Sequence, residues 1–426
     1  MLWLLPGLLL VTLRRDSRFP RPLWDVARFW SILTLALCLG VMTTIVQAEL
    51  TDWSTVFHDI FAYVLLAAVT TVLVALPDAT RRLYHIQWMT ALFGAALLSM
   101  QVASAWGLFA VRGVEPWYWE RMRGWCDNPN QLALHGLVVG LLALELVERE
   151  ARLERKLLAS TCAAISLGVG WLALSNAYSG VVLASFVVFA LLKATRAIGR
   201  AERRRFPAVA LVTVALAAVT FASCVLAPAL DARSNPFLKA GELVGRKGED
   251  EGAEAALRVY LWGHAVERGL DAWMLGLGPG AHLKIPTSIL AGRRGSDEPM
   301  NLYVPKAGLA PNFEAHNTVL EIFVQGGALA AGSFLWIYGL AIVRAWKAGL
   351  DGLLTLLFAI MAYGSFHVVF RHPIVWFLIC VALTADRRFR AHPTAMRAPS
   401  PREMVVSPIY HAPKRAAIDA RPAWRV

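Results

Sequence analysis

His316 and Asn317 stand side by side at the start of an apolar run that breaks at Gly326–Gly327, and Glu321 follows four residues after the asparagine. On a helix, Asn317 and Glu321 share a face. A helix N-terminus offers unpaired N–H groups and a positive dipole end, which suit an anion. Histidine can take or give a proton near neutral pH without special tuning, although at an interface it also serves as a passive polar residue. Two further stretches gather polar groups. "GVEPWYWERMRGWCDNPNQLALHG" (113–136) places Arg121 and Arg123 just before a segment in which Asp127 or Asn128 can cap a helix. Pro129 then falls in its first turn and Asn130 at its mouth. Those arginines fit either a snorkelling role or a phosphate-facing one. "GAEAALRVYLWGHAVERGL" (252–270) has helical spacing, with Leu257, Leu261 and Ala265 on one stripe and Arg258 and Trp262 one turn apart on the next. An amphipathic helix at a membrane surface is the default reading. "LGLGPGAH" (275–282) lacks the Lys-Ser/Thr of a P-loop and follows no parallel-strand pattern, so a nucleotide site is not indicated.

The elements that position these residues are set by hydropathy. The chain has 426 residues, 57% of them hydrophobic, and a mean hydropathy of +0.51. Its repeated apolar stretches reach the length needed to cross hydrocarbon, where only segments that satisfy their own backbone are stable. The fold class is therefore all-α: a polytopic integral membrane protein with about 11–12 transmembrane helices. The spans read as 1–13, 24–47, 58–76, 87–105, 131–147, 157–174, 179–193, 206–229, 316–343, 352–369 and 373–385. The first is short and resembles a signal h-region in length, but it has no basic n-region and no small-residue cleavage site, so a retained short helix is expected.

Basic connections alternate with neutral or acidic ones. Residues 14–21, 80–85, 149–156, 195–205, 344–347 and the tail from 386 carry the Lys and Arg, which marks that side as cytoplasmic. The net charge of +12 thus follows from membrane topology and anionic lipid, and nucleic acid binding is not indicated. Transmembrane helices with short loops occupy 1–229, and a large extracytoplasmic loop with the amphipathic helix occupies 230–315. C-terminal spans occupy 316–385, and 386–426 forms a basic cytoplasmic tail of disordered composition. The five cysteines form neither a CxxC pattern nor an even disulfide set. Few charges lie deep in the spans, Glu145 and Glu321 being the nearest cases, and both are close to helix ends.

Four motifs in order resemble the bacterial O-antigen ligase and polymerase superfamily: "RGWCDNPNQLA", "LALSNAYSGVVLA", "RVYLWGHA" with "LGLGPG", and "HNTVLEIFVQGGALA". The His-Asn pair opening a span after a long loop is the most specific of them. The resemblance implies a GT-C-like glycosyltransferase of the bacterial inner membrane, acting at the periplasmic face on a glycan carried by undecaprenyl diphosphate. A ligase hands that glycan to the outer core sugar of lipid A-core; a polymerase hands it to another carrier-linked repeat. The ligase is the leading reading and the polymerase the alternative. A solute transporter is more remote, because ionisable residues aligned at mid-membrane depth are not found.

In the roles that the resemblance implies, His316 is the general base and Arg258 the main diphosphate contact. Arg123 and Arg121 supply a second contact, and Asn317, Asn130, Trp262 and Glu321 line or orient the site. Without a DxD-like carboxylate pair, no metal and no cofactor is expected. Membrane lipids are the remaining partners. Two positions depart from the family pattern. Ser179-Gly180 stands where a Ser-Arg-Gly turn is usual, and Gln325 replaces an acidic residue before the glycine break.

The topology carries a direct test. Alkaline phosphatase fused after Gly252 is expected to be active and after Arg402 inactive; the reverse pattern would overturn the orientation.

Overall fold

The computed structural model describes residues 20–47, 52–118, 121–199, 257–286 and 308–385. The expected spans 1–13 and 206–229, most of the long loop and the tail 386–426 lie outside the described residues.

Helices dominate what is described. In chain order they are α1 (Arg21–Val46), α2 (Trp53–Ala75), α3 (Ala79–Ala105), α4 (Pro129–Arg149), α5 (Leu153–Leu172), α6 (Asn176–Gly199), α7 (257–271), α8 (Thr318–Ala348), α9 (Asp351–Gly364) and α10 (Pro373–Leu383). Six of these, α1, α2, α3, α4, α6 and α8, are long and apolar enough to cross a membrane, and α9 and α10 are shorter apolar helices. The chain is an integral membrane protein of helical class. Two short antiparallel pairs interrupt the all-α pattern in the connections. β1 (Trp117–Tyr118) pairs with β2 (Arg121–Met122), and β3 (Leu283–Pro286) pairs with β4 (Leu309–Phe313) across a register shift.

Local signals set the helix starts. Asp52 accepts from Ser54 N at 2.9 Å to open α2. Asn128, not Asp127, caps α4 by accepting from Gln131 N at 3.0 Å, with Pro129 in the first turn, where its missing N–H costs nothing. The span expected over 352–369 ends early. α9 stops at Gly364, and 365–372 turn back toward α8 because Thr318 Oγ1 donates to His367 O at 2.8 Å and accepts from Val369 N at 3.0 Å.

α4 is buried on almost every side and forms the centre of the bundle. It meets α5 at small residues: a Cβ on Gly136 would lie 2.7 Å from Gly170 Cα and from Ser166 O, the close backbone approach that helices in lipid use for association. The outer faces of α1 and α2 leave Leu35, Met42, Ile45, Val46, Phe57 and Phe61 exposed, as expected of surfaces that meet acyl chains.

Polar contacts gather the helix ends that carry basic connections. Lys193 of α6 pairs with Asp351 at 3.1 Å and also with Glu148 of α4. Gly352 N donates to Glu148 at 2.8 Å, Thr80 donates to Thr384 O at 2.8 Å, and Arg344 pairs with Asp25. Glu145 pairs with Arg149 at 3.0 Å toward the same end. The mouth of α8 lies at the opposite end.

α8 is not continuous. Gly326 (φ −127°) and Gly327 (φ 65°, ψ −163°) leave the helical region, and the segment 274–280 lies against the break. Leu277 N donates to Val324 O at 2.8 Å, Gly278 N to Gln325 O at 2.7 Å, and Met274 O accepts from Ala328 N at 2.9 Å. The glycine-rich loop therefore satisfies backbone groups that the break exposes, which irregular backbone at membrane depth requires. Thr44 of α1 adds a hydrogen bond to Leu277 O at 2.6 Å. α1 approaches this junction at Gly40, where a Cβ would overlap Gly278 N and lie 2.6 Å from Gln325 O. Backbone on both sides leaves no flexible atom to yield. Gly40→Ala is therefore expected to destabilise the protein by about 1–3 kcal/mol, the usual cost of overpacking, whereas Gly332→Ala, which meets open space, should be close to neutral. Thermal unfolding in detergent compares them, and equal melting temperatures would show that the junction is loose.

Candidate functional site

β4 runs through Glu314 and Ala315 into the mouth of α8. His316 is exposed there and holds φ at 49°, a left-handed conformation that a non-glycine residue keeps only when its surroundings impose it. The surroundings are visible. Asn317 caps α8 by accepting from Val319 N at 3.0 Å and Leu320 N at 3.1 Å, and its Nδ2 donates to Ser365 O at 3.1 Å. With the Thr318 bonds to His367 and Val369, this straps the loop 365–372 across the helix mouth.

A basic cluster forms near His316. Arg121 on β2 donates from Nε to Ala173 O at 3.1 Å and from Nη2 to Asn130 Oδ1 at 3.0 Å. The Asn130 carbonyl accepts from the Tyr363 hydroxyl at 2.8 Å, and Tyr363 stacks on His367 with ring centroids 4.6 Å apart. α7 completes the wall, with Trp262 and Phe366 ring centroids 6.2 Å apart. His367 lies beyond the end of α9, and its pKa is pushed down to about 3 by burial first and then by the electrostatic influence of Arg258, His316 and Arg121. Those three groups therefore all lie within electrostatic reach of His367. Two nitrogens there, Trp262 Nε1 and His367 Nε2, are buried and have no hydrogen-bond partner among the described residues.

An acidic network lies at the same helix mouth. Arg371 bridges Asp59 of α2 and Glu314. Asp59 Oδ2 accepts from Gly280 N at 3.1 Å and from Gln325 Nε2 at 2.9 Å. Gln325 Nε2 also reaches Glu321 Oε1 at 2.9 Å and Gly280 O at 3.0 Å, while the Tyr63 hydroxyl donates to Gln325 Oε1. Glu321 Oε2 accepts from Ala315 N at 2.8 Å, so its carboxylate anchors the backbone just before His316. Asp59, Glu321 and Gln325 are all buried.

Most of the residues singled out from sequence thus converge. Arg258, Arg121, Asn130, Trp262 and Asn317 gather beside His316, and Glu321 sits beneath it in the acidic network. Arg123 does not join them: its Nε donates to Glu115 O at 2.6 Å within the hairpin. Tyr178, just before Ser179-Gly180, is buried against α5 and donates to Leu167 O at 2.6 Å, which is a packing role. Asp59, Glu314, Arg371, Tyr63 and His367 escaped the sequence reading. Asp59 was visible only as one more charge at the edge of a span, and Arg371 only as part of a short loop.

Chemically, the pocket offers guanidinium groups for an anion, an exposed imidazole for a proton and an aromatic wall for an apolar ring face. The family model described as O-antigen ligase matches residues 161–335. That interval contains Arg258, the glycine-rich loop, His316, Asn317, Glu321 and the α8 break, whereas Arg121, Asn130 and His367 lie outside it. No curated protein matches the chain.

Proposed function

From the chain's place in the O-antigen ligase superfamily, which the match over residues 161–335 supports, we propose that it transfers a glycan from undecaprenyl diphosphate to the outer core sugar of lipid A-core. In this reading it acts at the periplasmic face of the bacterial inner membrane. The family indicates a membrane glycosyltransferase with lipid-linked glycan substrates; the donor, the acceptor and the face are this proposal's own. The observation that carries it is the placement of Arg258, Arg121 and His316 within electrostatic reach of His367, at the helix ends opposite those with the basic connections.

The chemistry follows from that placement. A carrier-linked sugar leaves a diphosphate when its glycosidic C–O bond breaks, and the departing electron pair stays on the phosphate oxygen. Preorganised guanidinium groups stabilise that charge best when they contact it in a fork, as Arg258 and Arg121 can. Arg121 is already oriented by Ala173 O and Asn130. The acceptor hydroxyl forms the new C–O bond and gives its proton to His316, whose turn Asn317 and Glu321 hold in place. Trp262 and Phe366 offer a ring face to the sugar. Arg123 is left with a secondary role at the rim. No metal or cofactor enters this scheme.

The test is transfer of carrier-linked glycan to lipid A-core by purified protein in buffer with chelator. His316→Gln keeps size and polarity but cannot take the proton, and it is expected to lose about 10²–10⁴ in rate while remaining folded. Arg258→Lys is expected to stay poor because a point charge does not reproduce the fork. Near-normal turnover by His316→Gln would remove it as the base. A deletion strain separates the two acceptors: core bearing a single repeat indicates a polymerase, whereas bare core with carrier-linked polymer still present supports the ligase.

A further inference from the structure

His367 has no task in the transfer just described, yet its position is closely determined. Thr318 holds its carbonyl at 2.8 Å, its ring stacks on Tyr363 at 4.6 Å and 26°, and the Tyr363 hydroxyl is fixed to Asn130 O at 2.8 Å. Its Nε2 is buried and has no partner among the described residues. The charged or titratable groups that face it are Arg258 from α7, Arg121 from β2, His316 from the mouth of α8 and Tyr363 from α9. A buried ring nitrogen without a partner is costly unless a ligand completes it, and the ligand that this company of cations suits is an anion.

We propose that His367 is a third ligand of the diphosphate, donating a hydrogen bond from Nε2 to a phosphate oxygen and taking up a proton from solvent as the anion arrives. This rests on the functional reading above. With the site empty, burial and then the electrostatic influence of Arg258, His316 and Arg121 keep the imidazole neutral. A diphosphate seated among those groups reverses the local field, and a nearby opposite charge favours the protonated ring. The proton enters with the donor and returns to solvent when the carrier diphosphate departs, so the full cycle has no net proton cost from His367. His367 thereby differs from His316: it titrates with occupancy, whereas His316 receives its proton from the acceptor. Because the bound form has the higher pKa, diphosphate binding should tighten as pH falls and weaken as pH rises through the bound-state value.

The probe is undecaprenyl diphosphate without glycan, titrated calorimetrically into the protein in lipid nanodiscs at pH 7 in two buffers of different ionisation enthalpy. Wild type is expected to take up on the order of one proton per diphosphate, the amount one titrating imidazole can supply. His367→Gln should lose that uptake and bind about tenfold or more weakly, as for a lost hydrogen bond to a charged group. His316→Gln should keep the uptake. Failure of wild type to bind the diphosphate at all would defeat the functional reading itself. Binding without uptake, equal uptake by His367→Gln, or loss of uptake in His316→Gln would each overturn the role of His367 and leave that reading standing. If His367→Gln does not fold, the dependence of wild-type and His316→Gln affinity on pH decides: a flat profile from pH 5 to 8 in both contradicts the proposal.

Discussion

The interrupted backbone of α8 is the constraint on which the rest of the arrangement depends. Carbonyls freed at Gly326–Gly327 find donors in the segment 274–280, with Gly278 N on Gln325 O at 2.7 Å and Leu277 N on Val324 O at 2.8 Å. That segment follows directly from α7, so the same bonds that satisfy α8 fix α7 beside its mouth. Arg258 and Trp262 on α7 and His316 at the start of α8 are thereby referred to one junction. The buried cluster of Leu257, Leu261, Ala265, Leu277, Ile285, Ala310, Ala315 and Val324 fills the space between them and β3–β4. Unpaired backbone groups in hydrocarbon cost several kcal/mol each, so the helix break and the glycine-rich loop have to fold as one unit.

Charge is divided around that unit. Arg258 and Arg121 gather near His316, and Asp59, Glu314 and Glu321, tied by Arg371 and Gln325, form a network of their own. Buried carboxylates are tolerated only when their lone pairs are taken up. Here the donors of those bonds include the backbone N–H groups of Gly280 and Ala315, on the two segments that meet at the α8 mouth. The acidic network thus uses its hydrogen bonds to fix the geometry of the α8 mouth. Gln325 makes sense in this setting. Its amide donates toward Asp59 and Glu321 and its carbonyl accepts from Tyr63, whereas a further carboxylate would bring no donor to these acceptors.

Much of this was legible in the sequence because membrane burial writes long, simple signals. The helices over the described residues followed from apolar length, and the Leu257–Leu261–Ala265 stripe is buried as its spacing required. His316, Asn317, Arg258, Arg121 and Asn130 stood out because polar groups at helix mouths are few. What stayed hidden depends on contacts distant along the chain. Asp59 and Arg371 are separated by 312 positions and are individually ordinary. His367 fell inside an apolar run read as a span, and only the Thr318 bonds explain why the chain leaves the helix there. The fate of Arg123, turned into its own hairpin by Glu115 O, likewise depends on a local turn that side-chain type does not encode.

The central claim is that the pocket between Arg258, Arg121 and His316 receives the diphosphate of a lipid carrier. A bound structure determined with undecaprenyl diphosphate in a lipid nanodisc addresses it most directly. Phosphate density is predicted within hydrogen-bond distance of the Arg258 and Arg121 guanidinium groups, with the carrier tail leaving toward lipid and the His316 imidazole facing the vacant sugar side. Diphosphate density at the opposite helix ends, among Arg21, Arg28 and Arg344, with the pocket beside His316 unaltered, would contradict it.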